Sequence, residues 1–364
     1  SNTVGIEWEL QLLDPATLDL IDGIIPLMEF FPHNPFIKPE YIQSCVELTS
    51  HVSETSEEAV HDIQSSLKQL LERCRELEMT LCGAGTHPFC RRMALITPMP
   101  RYQEMQKISG YLAYRQLTFS SHVHVGMTSG DEAMRVMSLM IPMIPVFIAL
   151  SANSPFWRGH LTGHCAYRHR ILAATRTYGV PPRFCNWSDY SEFLTAAMRA
   201  GMIRQFKDIH WDIRPHPDIG TLELRVMDAA PDLYSLHGLA AFARSMILFI
   251  ANTADKEVQN LLPAELPCWV EAENRYRAGL QGLEAPYIVK ADGQTRPILD
   301  ITRELIETCQ PTAAECGDTR GLAIASGMLN GNVVVDRQLD AYHANRSARS
   351  VVGSGVSTRS DGAG

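Results

Sequence analysis

With 364 residues, 45% of them hydrophobic and 20% charged, the chain has ordinary globular composition and enough length for a sizeable core. A formal net charge of -9 argues against a surface built to neutralise nucleic-acid phosphates or anionic lipid, so any anion it binds has to be met locally. Nine cysteines, scattered and without a C-x-x-C pair, point away from a disulfide framework or zinc ribbon and toward reduced thiols in a cytoplasmic protein.

In chain order, Val4-Gly-Ile-Glu-Trp-Glu-Leu-Gln11 reads as a strand with Glu7, Glu9 and Gln11 on one face and Val4, Ile6, Trp8 and Leu10 on the other. The stretch from Glu40 to Thr49, if extended, groups Gln43, Cys45, Glu47 and Thr49 and leaves Glu40 just outside or on the opposite phase. Glu57 to Leu81 carries Val60, Ile63, Leu67, Leu70 and Leu71 at helical spacing. Gly83-Ala-Gly-Thr-His-Pro-Phe89 reads as a tight turn that matches neither G-x-G-x-x-G nor a P-loop. His87 within it fits a structural histidine or a substrate contact equally well.

His122-Val-His-Val-Gly126 is a third strand, with His122, His124 and Gly126 sharing a face. Asp131 to Leu150 opens on two acids and carries a core stripe of Met134, Met137, Met140 and Met143; with Pro142 and Pro145 inside it, its apolar part falls short of the roughly 20 residues of a membrane span. Ser151 to Trp157 reads as the exit turn, with Asn153 and Ser154 either facing the site or, as the plainer reading, capping. Segments 189–207, 230–253, 268–283 and 296–317 are predicted helices. Thr221-Leu-Glu-Leu-Arg-Val-Met227 is a strand presenting Thr221, Glu223 and Arg225 together. The whole is α+β, a single domain over residues 1–343, with 344–364 a loose tail that has little to bury.

A wet strand face is normally a mixture of Lys and Thr with acids. Here the four strand segments bring Glu7, Glu9, Glu47, Glu223 and two histidines, and no lysine. Carboxylates on strands about 5 Å apart raise one another's pKa unless a cation sits among them. Oxygen-rich donors with an imidazole suit Mg²⁺ or Mn²⁺, which commonly hold nucleotide phosphates. Zinc fits less well, since no H-E-x-x-H helix or Cys/His cluster is present. Arginines should then neutralise phosphate and fork a substrate carboxylate, with Arg225, Arg214, Arg168 and Arg170 as candidates.

These residues resemble a known pattern. Gly5-x-Glu-x-Glu9, Leu12-Leu-Asp-Pro15, Gly85-Thr-His-Pro-Phe89, His122-Val-His-Val-Gly126, Ala149 to Phe156, Arg214-Pro-His-Pro217, Gly220-Thr-Leu-Glu-Leu-Arg225 and Glu273-Asn274 are similar, in order, to YbdK-type carboxylate-amine ligases of the glutamate-cysteine ligase superfamily. The resemblance implies a glutamine-synthetase-like fold: a curved, mainly antiparallel sheet with the active site on its concave face and helices on the other. It implies ATP, several Mg²⁺ ions (Mn²⁺ as the alternative), a γ-glutamyl phosphate, glutamate and an amine such as cysteine as substrates, and a homodimer. Glu7, Glu9, Glu40, Glu47, His124 and Glu223 would be metal ligands. Arg225 and Arg168 would contact phosphate or the substrate carboxylate, with Arg214 and Thr221 beside Arg225 on the cofactor. The chain departs from the family pattern at Leu161-Thr-Gly163, where Asp-Thr-Gly is usual, in the residues that follow to His169, and at Trp8, where many relatives carry another glutamate. Two other readings share the fold: a nucleotide-dependent phosphotransferase without an amine step, and a non-catalytic binding paralogue.

Overall fold

The computed structural model describes residues 2–262, 266–329 and 334–355. Its centre is a seven-stranded sheet. β1 (Val4–Leu13), β2 (Ile37–Pro39), β3 (Cys45–Thr49), β4 (Thr80–Cys82), β5 (Ser120–Gly126), β8 (Ile213–His216) and β9 (Thr221–Asp228) take the order β2-β3-β1-β5-β9-β8, with β4 also on β1. Two hairpins stand apart, β6 (Phe156–Trp157) with β7 (His160–Leu161) and β10 (Pro286–Ile288) with β11 (Thr295–Pro297). Every pairing in the central sheet is antiparallel.

The alternation read from the sequence sets the two faces. Val4, Ile6, Trp8, Leu10, Val123, Val125, Leu222 and Leu224 are all buried on one face against helices. Trp8 therefore stands in the core, with its indole N–H donated to Ala230 O at 2.9 Å. The registers Glu9↔Glu47, Glu7↔His122, His124↔Glu223 and Glu223↔Arg214 place the polar side chains in rows across the other face.

One irregularity changes the reading of β9. Ser121 pairs with Met227 and Val123 with Leu224, so His122 alone faces both Arg225 and Val226. Such a bulge shifts the phase of everything after it. Asp228, which strict alternation assigns to the apolar face, pairs with Ser120 and joins the polar one.

The apolar side is covered chiefly by the helix Leu233–Asn252, hydrophobic around its whole circumference and buried along nearly all of it. It and the stretch Gly130–Leu150 are long and apolar enough to cross a membrane, yet 83% and 89% of the most apolar windows are buried inside the protein. Pro142 and Pro145 divide the latter into helices Gly130–Met140 and Ile144–Leu150 around a 3-10 turn, Ile141–Met143. Helix Ser56–Glu76 is entered through a capping box in which Thr55 Oγ1 accepts from Glu58 N–H and the Glu58 carboxylate accepts from Thr55 N–H. It stops short of the predicted end, because Leu81 is claimed by the β1–β4 pairing.

Other predicted helices are shorter than expected. The one over 189–207 runs Trp187–Arg199 and stops before Gly201 (φ 68°), while 296–317 splits before Pro311 into Ile298–Thr308 and Gln310–Cys316. The loose tail expected over 344–364 is corrected in part. Ala348–Gly355 is helical with Val351 and Val352 buried, and 356–364 lies outside the described residues.

Arg244 ties the back layer together. Its side chain, 2% exposed, donates to Asn2 O at 3.0 Å, Cys316 O at 2.9 Å and Asp318 Oδ2 at 2.8 Å, while Asp318 Oδ1 accepts from Ser56 N–H and Oγ–H at 2.8 Å. Removing one partner of a buried pair strands the other. Arg244→Met is expected to lower unfolding free energy by about 3–5 kcal/mol, read as a shift of the urea midpoint.

Candidate active site

The polar sheet face floors a cleft of about 510 Å³. All six residues expected to ligate metal are gathered on it, in two groups. Glu7, His124 and Glu223 bring one donor atom each within 4.8 Å of one another, and so do Glu9, Glu40 and Glu47. Glu40 arrives by a route that strand phase does not give. The chain leaves β2 at Pro39 and folds over the face before β3, and Glu40 Oε2 accepts from Tyr41 N–H at 2.6 Å and Tyr102 O–H at 2.8 Å.

The first group is strongly compensated. Arg214 donates from Nε and Nη2 to Glu223 Oε2 at 3.0 and 2.7 Å, and Arg225 pairs with Glu223 Oε1. Burial would raise the Glu223 pKa, but Arg225, Arg214 and His124 outweigh it and hold the carboxyl well below its ordinary range. Glu7 is likewise held ionised against burial, by His124 and by His122, whose Nδ1 lies 2.9 Å from Glu7 Oε2. His124 Nδ1 meets Thr221 Oγ1 at 3.1 Å, which leaves Nε2 toward the carboxylates, 3.3 Å from Glu7 Oε1 and without a hydrogen bond of its own.

The second group is under-compensated. Among the described residues its one ion pair is Lys38 Nζ to Glu47 Oε1 at 3.1 Å. Burial, then Glu7, pushes the Glu47 pKa well up; burial and Glu40 push Glu9 from 4.5 to about 7, despite Arg168 and a 2.6 Å bond from Ser120 N–H. Buried carboxylates that repel one another and lack matching cations are the donor set a hard divalent ion takes. The second group therefore fits the expected metal by its uncompensated charge, and the first by its donor set, in which His124 Nε2 has no hydrogen bond.

The basic residues divide by role. Arg225 lines the cleft beside Glu223. Arg214 also lines the cleft but spends its donors inside the protein, on Glu223 and on Ile209 O and Lys207 O at 2.7 and 3.3 Å, and so supports Glu223. Thr221 likewise orients His124 and does not line the cleft. Arg168 lines it but donates to Val226 O at 3.1 Å and Arg225 O at 3.3 Å, holding the bulge that presents Arg225.

Other expected residues turn out to be framework. His87 is buried, its Nδ1 accepting from Cys90 N–H at 3.0 Å and its Nε2 2.9 Å from Leu18 O. Asn153 N–H and Ser154 Oγ–H grip Asp228 Oδ2 at 2.9 and 2.6 Å instead of capping a helix. A Cβ on Gly85 would sit 2.5 Å from Asp228 Cγ, so this glycine admits a carboxylate, not a phosphate. Leu161 is 42% exposed on the β6–β7 hairpin, away from the cleft lining. Lys38, Arg101, Tyr102, Lys207 and His210 line the cleft without having been singled out. Only Lys38 had a signal available, as the cross-strand partner of Glu47.

A sheet with carboxylate clusters and arginines on its open face and helices behind is the architecture of glutamine-synthetase-like ligases. Residues 3–353 match glutamate-cysteine ligase family 2 (GCS2), and the chain belongs to that family. A Trichormus variabilis protein provisionally named glutamate–cysteine ligase 2 is 42% identical over 98% of this chain and 92% of its own length; a Thermobifida fusca protein of the same provisional name is 34% identical over 92% and 85%. Among solved structures, glutamate–cysteine ligase of Francisella tularensis in complex with AMP superposes with TM-score 0.66 at 11% identity, over 97% of this chain and 87% of that one. A bifunctional glutathione synthetase of Pasteurella multocida gives 0.69 at 15% identity over 97% of this chain, which spans 51% of it. The likeness to these two shows the fold, and the family makes the chain an ATP-dependent carbon–nitrogen ligase that joins a carboxylate to an amine.

The second cluster gives a pH dependence with a definite sign. A carboxyl whose folded pKa is raised favours the fold while protonated, and that contribution is lost as pH rises from its unfolded value of 4.5 through about 7, the Glu9 value. In EDTA the melting temperature should fall between pH 5 and pH 8 relative to that of Glu9→Gln, a difference from which the buried neutral histidines cancel. Mg²⁺ at about a hundred times its Kd should restore ~2.7 kcal/mol at pH 8 and much less at pH 5, where protons compete for the ligands. Glu9→Gln, which keeps an acceptor for Ser120 N–H, should raise the pH 8 melting temperature in EDTA and shrink the Mg²⁺ increment, both read by calorimetry.

Proposed function

We propose that the enzyme activates glutamate at its side-chain carboxylate as an acyl phosphate, using ATP with Mg²⁺ or Mn²⁺, and joins the acyl group to a small amine as a γ-glutamyl amide. The observation that carries this reading is the gathering of Glu7, His124, Glu223 and Glu9, Glu40, Glu47 into two donor groups on one face, with Arg225 beside them. Phosphoryl transfer asks a protein for positioning and for cations against the phosphate oxygens, and for no protein nucleophile. Divalent ions held by the two groups would supply most of that positive charge.

The chain's own residues do the rest. Glu223 is held by Arg214 and Arg225, so a ligand oxygen is fixed on the wall where the phosphoryl group must be met. Thr221 sets the ring of His124 with Nε2 inward. Arg168, anchored on the carbonyls of Arg225 and Val226, keeps the Arg225 guanidinium from swinging away as charge moves. The substrate carboxylate attacks the γ-phosphorus in line, and the amine then displaces phosphate from the acyl carbon. Glutamate as the acid is supported by the family and by the names of the relatives.

Phosphate release is the measurement. With ATP, Mg²⁺, glutamate and a panel of amines that includes cysteine, release should depend on the amine, and one γ-glutamyl amide should accumulate in equal amount. Release indifferent to every amine would instead favour a phosphotransferase. Glu7→Gln and Glu223→Gln should each lose on the order of 10²-fold or more in turnover with the fold intact by circular dichroism; full turnover in both would remove the metal assignment.

A further inference from the structure

His210 lies on the cleft wall between the 3-10 turn Phe206–Asp208 and β8, apart from both donor groups. Hydrogen bonding fixes its tautomer. Thr177 has a single hydroxyl hydrogen, and it goes to Asp208 O at 2.8 Å. The same oxygen accepts from His210 N–H at 3.2 Å and lies 3.1 Å from His210 Nδ1. With its hydrogen spent, Thr177 Oγ1 can only accept from the ring, so Nδ1 carries the proton and Nε2 keeps a bare lone pair. Among the described residues Nε2 has no protein partner.

The other cleft histidines differ. His122 is engaged at both ring nitrogens, by Glu7 and Ser120, and among the described residues His216 has no hydrogen bond that fixes its tautomer. The charged groups facing His210 are Arg225, Arg214 and Arg101, with Asp208 on its own turn. Burial first and then those arginines push its pKa down to about 3, so the ring stands neutral.

We propose that His210 Nε2 accepts the proton shed by the attacking amine. The proposal rests on the ligase reading above. The amine arrives as an ammonium, and one N–H proton passes to Nε2 and later to solvent, which frees the lone pair that forms the C–N bond to the acyl carbon. The bond from that carbon to the phosphate oxygen breaks, and phosphate leaves with the electron pair and takes up the second N–H proton. Of the arginines that depress the basicity of the ring, Arg225 is the one placed to be neutralised by a bound phosphoryl group, so its share of the depression is relieved when the acyl phosphate is in place.

His210→Asn tests this, since the asparagine amide can still donate to Thr177 but offers no acceptor where Nε2 was. With glutamate, ATP and Mg²⁺, amide formation from the fastest of cysteine, methylamine and ammonia is compared with hydroxamate formation from hydroxylamine, which is already unprotonated at neutral pH. In the variant the amide rate at pH 7 should fall about 10²–10⁴-fold and the hydroxamate rate stay within about threefold. Between pH 7 and 9 the variant's amide rate should climb about tenfold per unit as the amine loses its proton unaided. Equal loss in both rates, or an unchanged amide rate, overturns the proposal. Wild-type protein that forms hydroxamate but no amide overturns it too and leaves the acyl-phosphate reading standing; wild-type protein that forms neither overturns both.

Discussion

Five glutamates are held on one side of an antiparallel sheet, in two groups whose donor atoms lie within 4.8 Å of one another, and the rest of the molecule is arranged around that repulsion. Like charges at such range cannot all ionise without help. Help is unevenly distributed. Glu7 and Glu223 have two histidines and two arginines, whereas Glu9, Glu40 and Glu47 have Lys38 and a more distant Arg168. One group is nearly neutralised by the protein, and the other waits for an external cation. In the proposed function, a site built this way would gain most from a divalent ion where its metal-free form is poorest, trading stability for function.

Support for the charged face comes from behind and from the side. The bulge at Arg225–Val226 turns Asp228 onto the polar face, where Ser154, Asn153 and the nearby Arg168 hold it and Gly85 leaves it room. Arg168 in turn grips the bulge carbonyls and lowers the pKa of Glu9. Asn153 is anchored to Gln338 from the C-terminal helix pair, so the last described segment of the chain is wired to the site through Asn153 and Asp228. In the helical layer Arg244 joins the N-terminus, helix Ser56–Glu76 and the Cys316–Asp318 turn, fixing the strand that carries Glu7 and Glu9 at its entry.

Much of the site was legible because a strand has a period of two. Alternation alone groups Glu7 with Glu9, His122 with His124, and Glu223 with Arg225, and each group lies on the cleft face. Glu40 was reached only by resemblance, since it sits on a loop, where phase carries no information. The roles of the arginines were not legible either. Arg214, Arg168 and Arg225 are identical letters in the sequence, and which of them faces a ligand depends on whether backbone carbonyls lie within reach, as Ile209 O and Lys207 O do for Arg214.

By itself, then, the sequence determined which side chains share a strand face, that this face is rich in carboxylates, and, through its ordered motifs, the family; the lysine-free face it suggested is corrected by Lys38, which pairs with Glu47 from β2. Periodicity and residue chemistry are local properties, and they survive in a string of letters. Tertiary structure alone decided how six candidate donor residues divide into two groups of unequal charge balance, where the bulge sends Asp228, and that His210 keeps its Nε2 lone pair. Those are consequences of strand register and of hydrogen bonds between segments far apart in the chain, such as Thr177 with His210, and no local pattern encodes them.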